Sequence, residues 1–302
     1  MHNLVLLIVC FLAGVLLRHA GRLPGTTSQV LNGVIIHVSL PAVTLLHVHN
    51  LRLSGDVLVM AAMPWLHFGL AALFFLFLGR VLRLRRSVVG ALLLTGGLGN
   101  TSFVGLPMIE AFYGSEALVH GIIVDQAGSF MVLSTLGITV AGMYAGERPG
   151  VGTIARRIVT FPPFLALAAA LVLIPVEYPG WLTVLLARLA DTLAPLALLS
   201  VGFQLHAGHV GGNLRNLAAG LGFKLVLAPI FFLFLYGGVL GLRGLSVEVT
   251  LFEAAMPPMV TAGIIAQEHD IEPRLASLMV AVGIVLSFVS LPAWAFVFDR
   301  FF

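Results

Sequence analysis

Long apolar runs recur along the whole chain, separated by short stretches rich in Arg, Gly and Pro. They cover residues 4–18, 29–48, 57–79, 87–113 and 117–144, and then 158–176, 181–206, 214–241, 247–268 and 274–298. A helix needs roughly 20 apolar residues to cross a bilayer. The pattern therefore predicts an all-α integral membrane protein with ten transmembrane helices. The first run is short for a full crossing and would have to recruit flanking residues or tilt differently. It begins at Leu4 with no Lys or Arg before it and no clear small-residue cleavage pattern after it, so it is expected to stay as a span and not to be a cleaved leader.

The longest polar interruption, about Ala145 to Thr153, falls at mid-chain. It divides the sequence into residues 1–145 and 146–302, each with five runs. The punctuation repeats: Pro41 in the second run answers Pro195 in the seventh, and Pro107 in the fourth answers Pro257 in the ninth. Five is odd, so two halves of one fold would enter the membrane in opposite orientations, as two inverted five-helix repeats. Basic residues set the orientation. Loops after odd-numbered runs hold eleven arginines, including Arg80, Arg83, Arg85, Arg86, Arg156 and Arg157, whereas those after even-numbered runs and the C-terminus hold Arg52, Arg243 and Arg300. That asymmetry puts the odd loops in the cytoplasm and both termini outside. The run Arg80 to Arg86 is read as part of this topology signal.

Composition narrows the function. Of 302 residues, 59% are hydrophobic and 10% charged, against roughly a quarter charged in soluble domains, which excludes an ordinary water-soluble enzyme and leaves no room for a separate soluble domain. The net charge of +3 is spread over loops and does not describe a nucleic-acid groove. Cys10 is the single cysteine, read as an apolar packing residue with no disulfide or metal partner.

Two runs are poor material for continuous helix. The fourth contains Gly96, Gly97, Leu98, Gly99, Asn100, Thr101, Ser102, Phe103, Val104, Gly105, Leu106 and Pro107. Gly costs about 1 kcal/mol and Pro about 3 kcal/mol relative to Ala inside a helix. The ninth reads Glu253, Ala254, Ala255, Met256, Pro257, Pro258, Met259, Val260, Thr261, and Pro258 pushes its predecessor out of the helical region, so a break is expected near Met256 and Pro257. Unwound backbone at membrane depth survives only where protein buries it or water lines it. Matching breaks in two halves point to a substrate site at the midplane, where half-helix N-termini favour an anion and freed carbonyls a cation. Asn100, Thr101, Ser102, Pro257, Pro258, Met259 and Thr261 are its candidate lining.

The stretches from Gly99 to Gly114 and from Glu253 to His269 resemble the fourth and ninth spans of the auxin efflux carrier family. The resemblance covers essentially the whole chain. It implies a fold similar to bile acid sodium symporters, with spans 1, 2, 6 and 7 as a scaffold and spans 3–5 and 8–10 as a mobile transport domain. It also implies crossing prolines at Pro107 and Pro257, a homodimer, and transport of a small organic anion. The long central loop of the plant exporters is missing, which favours a bacterial inner-membrane carrier of carboxylates such as malonate or malate over an auxin exporter.

Ionisable residues inside spans need a reason. Asp125, with Gln126, lies in the fifth run, and Glu253 at the ninth-run break. Together with Asn100, Thr101, Ser129 and the carbonyl of Met256 they are candidate hard oxygen ligands for a sodium ion; the order Glu253, two small residues, Met256 is also similar to the sodium-binding stretch of bile acid sodium symporters. Proton coupling and movement driven by membrane potential alone stay open. A neighbouring Arg188–Asp191 pair at helical spacing reads as structural, and His37 and His67 read as packing residues. Lys224 reads as snorkelling or facing a polar pathway, and the group Glu268, His269, Asp270 and Glu272 as a solvated turn. Two other classes stay in view: an intramembrane protease built on Ser129 and His120, for which no nucleophile-elbow pattern is present, and a channel, since broken helices also line pores; no cofactor is expected.

Overall fold

A computed structural model describes residues 2–49, 56–146, 150–205 and 213–302. Arg52 and the seam residues Glu147, Arg148 and Pro149 lie outside the described residues. Among these, the secondary structure is helical with no strand. The elements are α1 (His2–His19), α2 (Thr27–Val48), α3 (Asp56–Val81), α4 (Arg86–Gly97), α5 (101–113) and α6 (Ser115–Ala145), followed by α7 (Val151–Val159), α8 (Pro162–Val172), α9 (Gly180–Gln204), α10 (Leu214–Val239), α11 (Leu245–Ala254), α12 (Val260–Glu268) and α13 (Pro273–Phe301).

Six of these, α2, α3, α6, α9, α10 and α13, are long and apolar enough to cross a membrane, and α7 with α8 forms a seventh candidate bent by 61°. The chain is an integral membrane protein. The other three expected crossings fall on α1, apolar but shorter, and on the pairs α4–α5 and α11–α12, each interrupted by extended residues. Both interruptions coincide with the Gly- and Pro-rich stretches of the fourth and ninth runs. Elsewhere the helices bend without breaking. In α2 a π turn at Ile35–Ser39 directly precedes Pro41, and in α9 a turn at residues 191–192 precedes Pro195. The missing proline N–H is absorbed by that local irregularity.

Packing separates into two groups. In one, α1 lies along the second half of α9, and α2 packs on α8 and both halves of α9. Gly14 and Gly202 make the α1–α9 contact possible. A Cβ on Gly14 would sit 2.2 Å from the Leu199 carbonyl oxygen, and one on Gly202 2.1 Å from that of Phe11. Small residues let helix backbones touch where lipid offers no hydrophobic drive. In the other group α3, α4, α6, α11, α12 and α13 pack on one another. One clasp joins its ends. Glu272 pairs with Arg85 at 2.6 Å and accepts from the Ser87 hydroxyl at 2.9 Å, while Arg86 donates to the Met143 carbonyl at 3.2 Å. Glu272 and part of the arginine run thus tie loops together, beyond the solvated turn and topology signal read from the sequence.

Candidate functional site

The two interrupted helices meet. Residues 98–100 and 255–259 run alongside each other, joined by an antiparallel bridge between Gly99 and Pro258. The Asn100 N–H donates to the Pro257 carbonyl at 2.8 Å, and the Met259 N–H to the Leu98 carbonyl at 3.0 Å. Buried backbone groups freed by one break are satisfied by the other. Pro257 and Pro258 suit the pairing, because neither brings an N–H that would need a partner. Four helix ends converge: the C-termini of α4 and α11 and the N-termini of α5 and α12. The Asn100 side chain caps α5, its Oδ1 accepting from the Phe103 N–H at 3.2 Å, and in α12 the first N–H bonding back is that of Gly263, to Met259 at 3.2 Å. The α12 N–H groups before it point their positive ends at the crossing.

On one side of the crossing lies a cavity of about 150 Å³. Its polar lining comprises Asn100, Ser102, Asp125, Arg157 and Thr261, set against an apolar wall including Phe130 and Phe161. Asp125 Oδ1 accepts from the Thr101 hydroxyl at 2.6 Å and from that of Ser102, which fixes the side chains of α5 against α6. Asn100 is 1% exposed, and its Nδ2 has no hydrogen-bond partner among the described residues. A buried amide donor left unpaired costs about 1–3 kcal/mol, which makes Nδ2 a candidate donor to a ligand oxygen.

Behind the crossing lies a space of about 10 Å³, lined by His67, Thr101, Ser129, Lys224 and Glu253 among others. That is about one water or one small monatomic ion. Both Glu253 carboxylate oxygens lack a partner among the described residues, and they abut Gly105, where a Cβ would come within 2.6 Å of each. Lys224 is buried; its Nζ donates to the Ala254 carbonyl at 3.2 Å and lies 3.3 Å from His67 Nε2. That ring nitrogen is also 3.3 Å from the Gly96 carbonyl. It can donate to Gly96 or accept from Lys224, not both.

The candidate residues are thus shared between two compartments. Asn100, Ser102, Asp125, Met259 and Thr261 face the larger cavity, and Ser129 and Glu253 the smaller. Thr101 joins the two, lining the smaller one while bonding to Asp125. Pro257 and Pro258 form the crossing itself and Met256 is fully buried within it. Pro107 sits elsewhere, in a cleft it shares with Glu110 and Asp191. Among the described residues no ion pair joins Arg188 to Asp191; Asp191 occupies the turn within α9 and looks into that cleft instead. His67 is more than a packing residue, since it touches Lys224. Lys224, Arg157 and Gly105 were not singled out as site residues by sequence reasoning. For Lys224 the signal was present, a lysine inside an apolar run; for Arg157 and Gly105 only the tertiary arrangement carries it.

A helical membrane protein in which two broken helices cross around buried polar groups is built like a carrier. Residues 1–295 match the family model described as membrane transport protein, and the chain belongs to this family, that of the auxin efflux carriers. It is similar to an uncharacterized transporter of Methanothermobacter thermautotrophicus, 27% identical over 96% of this chain and 95% of that protein. It is also similar to an uncharacterized transporter of Methanocaldococcus jannaschii, 23% identical over 98% of each. The protein is a membrane transporter.

Proposed function

We propose that the protein is a secondary carrier of small organic anions, carboxylates such as malonate or malate, bound at the crossing and moved by an elevator-like displacement. The observation that carries this reading is the buried, unpartnered Asn100 amide in a cavity capped by the positive end of α12. One carboxylate accepts from Asn100 Nδ2 and the first α12 N–H groups, with Thr261 beside them and Phe130 and Phe161 excluding water. Pro257, Pro258 and Met259 shape the floor, and Pro107 lies further along α5.

The elevator reading treats the ten runs as two inverted five-helix repeats. The moving body comprises spans 3–5 and 8–10, sliding on spans 1, 2, 6 and 7. The separation of helix packing into two groups supports it. Among the described residues a bond from Gln126 Nε2 to the Thr44 hydroxyl, at 2.6 Å, crosses between the groups, and it must break during such a movement. The arginine asymmetry supports insertion with both termini outside, and the family resemblance alone supports a homodimer in a bacterial inner membrane.

Sodium is the proposed coupling ion. The ion is placed in the smaller space, where Glu253 supplies charge and Ser129, Thr101 and the Met256 carbonyl of the adjoining crossing supply neutral oxygens; Asp125 and Asn100, also candidate ligands, open onto the larger cavity and would belong to a separate position. A specific observation favours proton coupling as a second reading. Lys224 and Glu253, two titratable side chains, line the same space, which holds about one water. Uptake of labelled malonate into proteoliposomes under imposed sodium or pH gradients tests both; stimulation by sodium, lost in Glu253→Gln, supports the first, and stimulation by a pH gradient without sodium supports the second.

A further inference from the structure

We infer that Arg157 is the cationic end of the anion cavity and selects substrates carrying a second negatively charged group; this rests on the organic-anion reading above. The placement follows from local sequence. In α7 the apolar Val151, Ile154, Ala155 and Ile158 fall on one face at helical spacing, and Thr153, Arg156, Arg157 and Thr160 on the other. Such a two-faced pattern suits a helix at the membrane interface, leading into the crossing made by α8. The Phe161-Pro162-Pro163 segment then turns the chain by 61° into α8. The bend sets Phe161 flat against Phe130, ring centroids 3.8 Å apart and planes 12° apart. One helical turn before Phe161, Arg157 reaches the cavity that holds Asn100, Ser102, Asp125 and Thr261.

Charge then dictates the role. Among the residues lining this cavity Arg157 is the cation and Asp125 the anion. A ligand carboxylate at Asn100 and the α12 N-terminus is attracted there, but a second negative group close to Asp125 is repelled. The favourable direction for that group is the α7 wall, where a guanidinium offers a planar fork for a carboxylate. With Arg157 neutralised the lining would be net negative. Arg156 stands on the same polar face of α7 but does not line the cavity, so the effect belongs to one side chain.

The test uses the purified full chain in lipid nanodiscs, titrated with malonate and with monomethyl malonate at a pH where every free carboxyl is ionised. The ester has nearly the same shape and one charge fewer. The wild type should bind malonate at least about tenfold more tightly. Arg157→Gln should bring the two affinities to within about twofold by weakening malonate alone, Arg157→Lys should keep most of the preference, and Arg156→Gln should leave it unchanged. Equal weakening of both ligands in Arg157→Gln, or no preference in the wild type, overturns the role of Arg157 while leaving an anion site. Failure of the wild type to bind either overturns the organic-anion reading and this inference with it.

Discussion

Gly105→Ala is the most informative single-atom change to the crossing. The new Cβ would stand 2.6 Å from both Glu253 carboxylate oxygens, where ordinary contact begins at 3.4 Å. The carboxyl must retreat by about 0.8 Å. Both residues are buried, which leaves the carboxyl little free space to turn into. Overpacking of this kind costs about 1–3 kcal/mol, partly offset by about 1 kcal/mol of helix propensity gained over Gly. Glu253→Asp shortens the offending side chain by one methylene. In a double-mutant cycle read by unfolding in mixed micelles and by malonate uptake, Gly105→Ala should lower both stability and uptake. Glu253→Asp in the Gly105→Ala background should recover part of the loss, with a coupling of about 0.5–3 kcal/mol. Full uptake by Gly105→Ala, or strict additivity of the two changes, would refute the packing argument.

Other expectations follow from the same geometry. Lys224→Met removes the buried amine that shares the small space with Glu253 and should lower stability, whereas Lys224→Met with Glu253→Gln should recover part of the loss; equal losses in mixed-micelle unfolding would show that the two side chains are not electrostatically linked. Gly202→Ala drives a methyl into the Phe11 carbonyl and cannot be relieved by side-chain rotation, so α1 must move away from α9. A melting temperature equal to the wild type's would contradict the close contact. Thr44→Val removes the acceptor of Gln126 and, on the proposed elevator movement, should alter the balance between inward- and outward-open forms, read as a changed ratio of labelling from the two membrane sides in a single-cysteine reporter on α6. An unchanged ratio would exclude that bond as a latch.

Much of the architecture is legible in the apolar runs, because a span's length is dictated by the bilayer and not by its neighbours. The run at 117–144 appears as α6 at Ser115–Ala145, and that at 274–298 as α13 at Pro273–Phe301. The breaks were also legible, since Gly99 and Pro257 with Pro258 act on the backbone locally. The helix boundary at 158 was not: α7 starts at Val151, because an amphipathic surface helix carries arginines that a run of pure hydrophobicity excludes. Site residues divide the same way. Asn100, Asp125 and Glu253 stand out as polar groups in apolar runs, but that Asp125 and Glu253 open onto different cavities depends on how α6 and α11 rotate about the crossing. Lys224 lies on α10, the helix directly before that of Glu253, but that its side chain turns towards the same space is set by packing.

The most direct test of the central claim is uptake of radiolabelled malonate into proteoliposomes by the wild type and Asn100→Ala, with sodium, potassium and pH gradients imposed in turn. The account predicts saturable uptake driven by one of these gradients, reduced at least about tenfold in Asn100→Ala, because a buried donor to the anion is worth about 1.5–3 kcal/mol. Undiminished, gradient-driven uptake in Asn100→Ala would contradict the assignment of the crossing as the anion site.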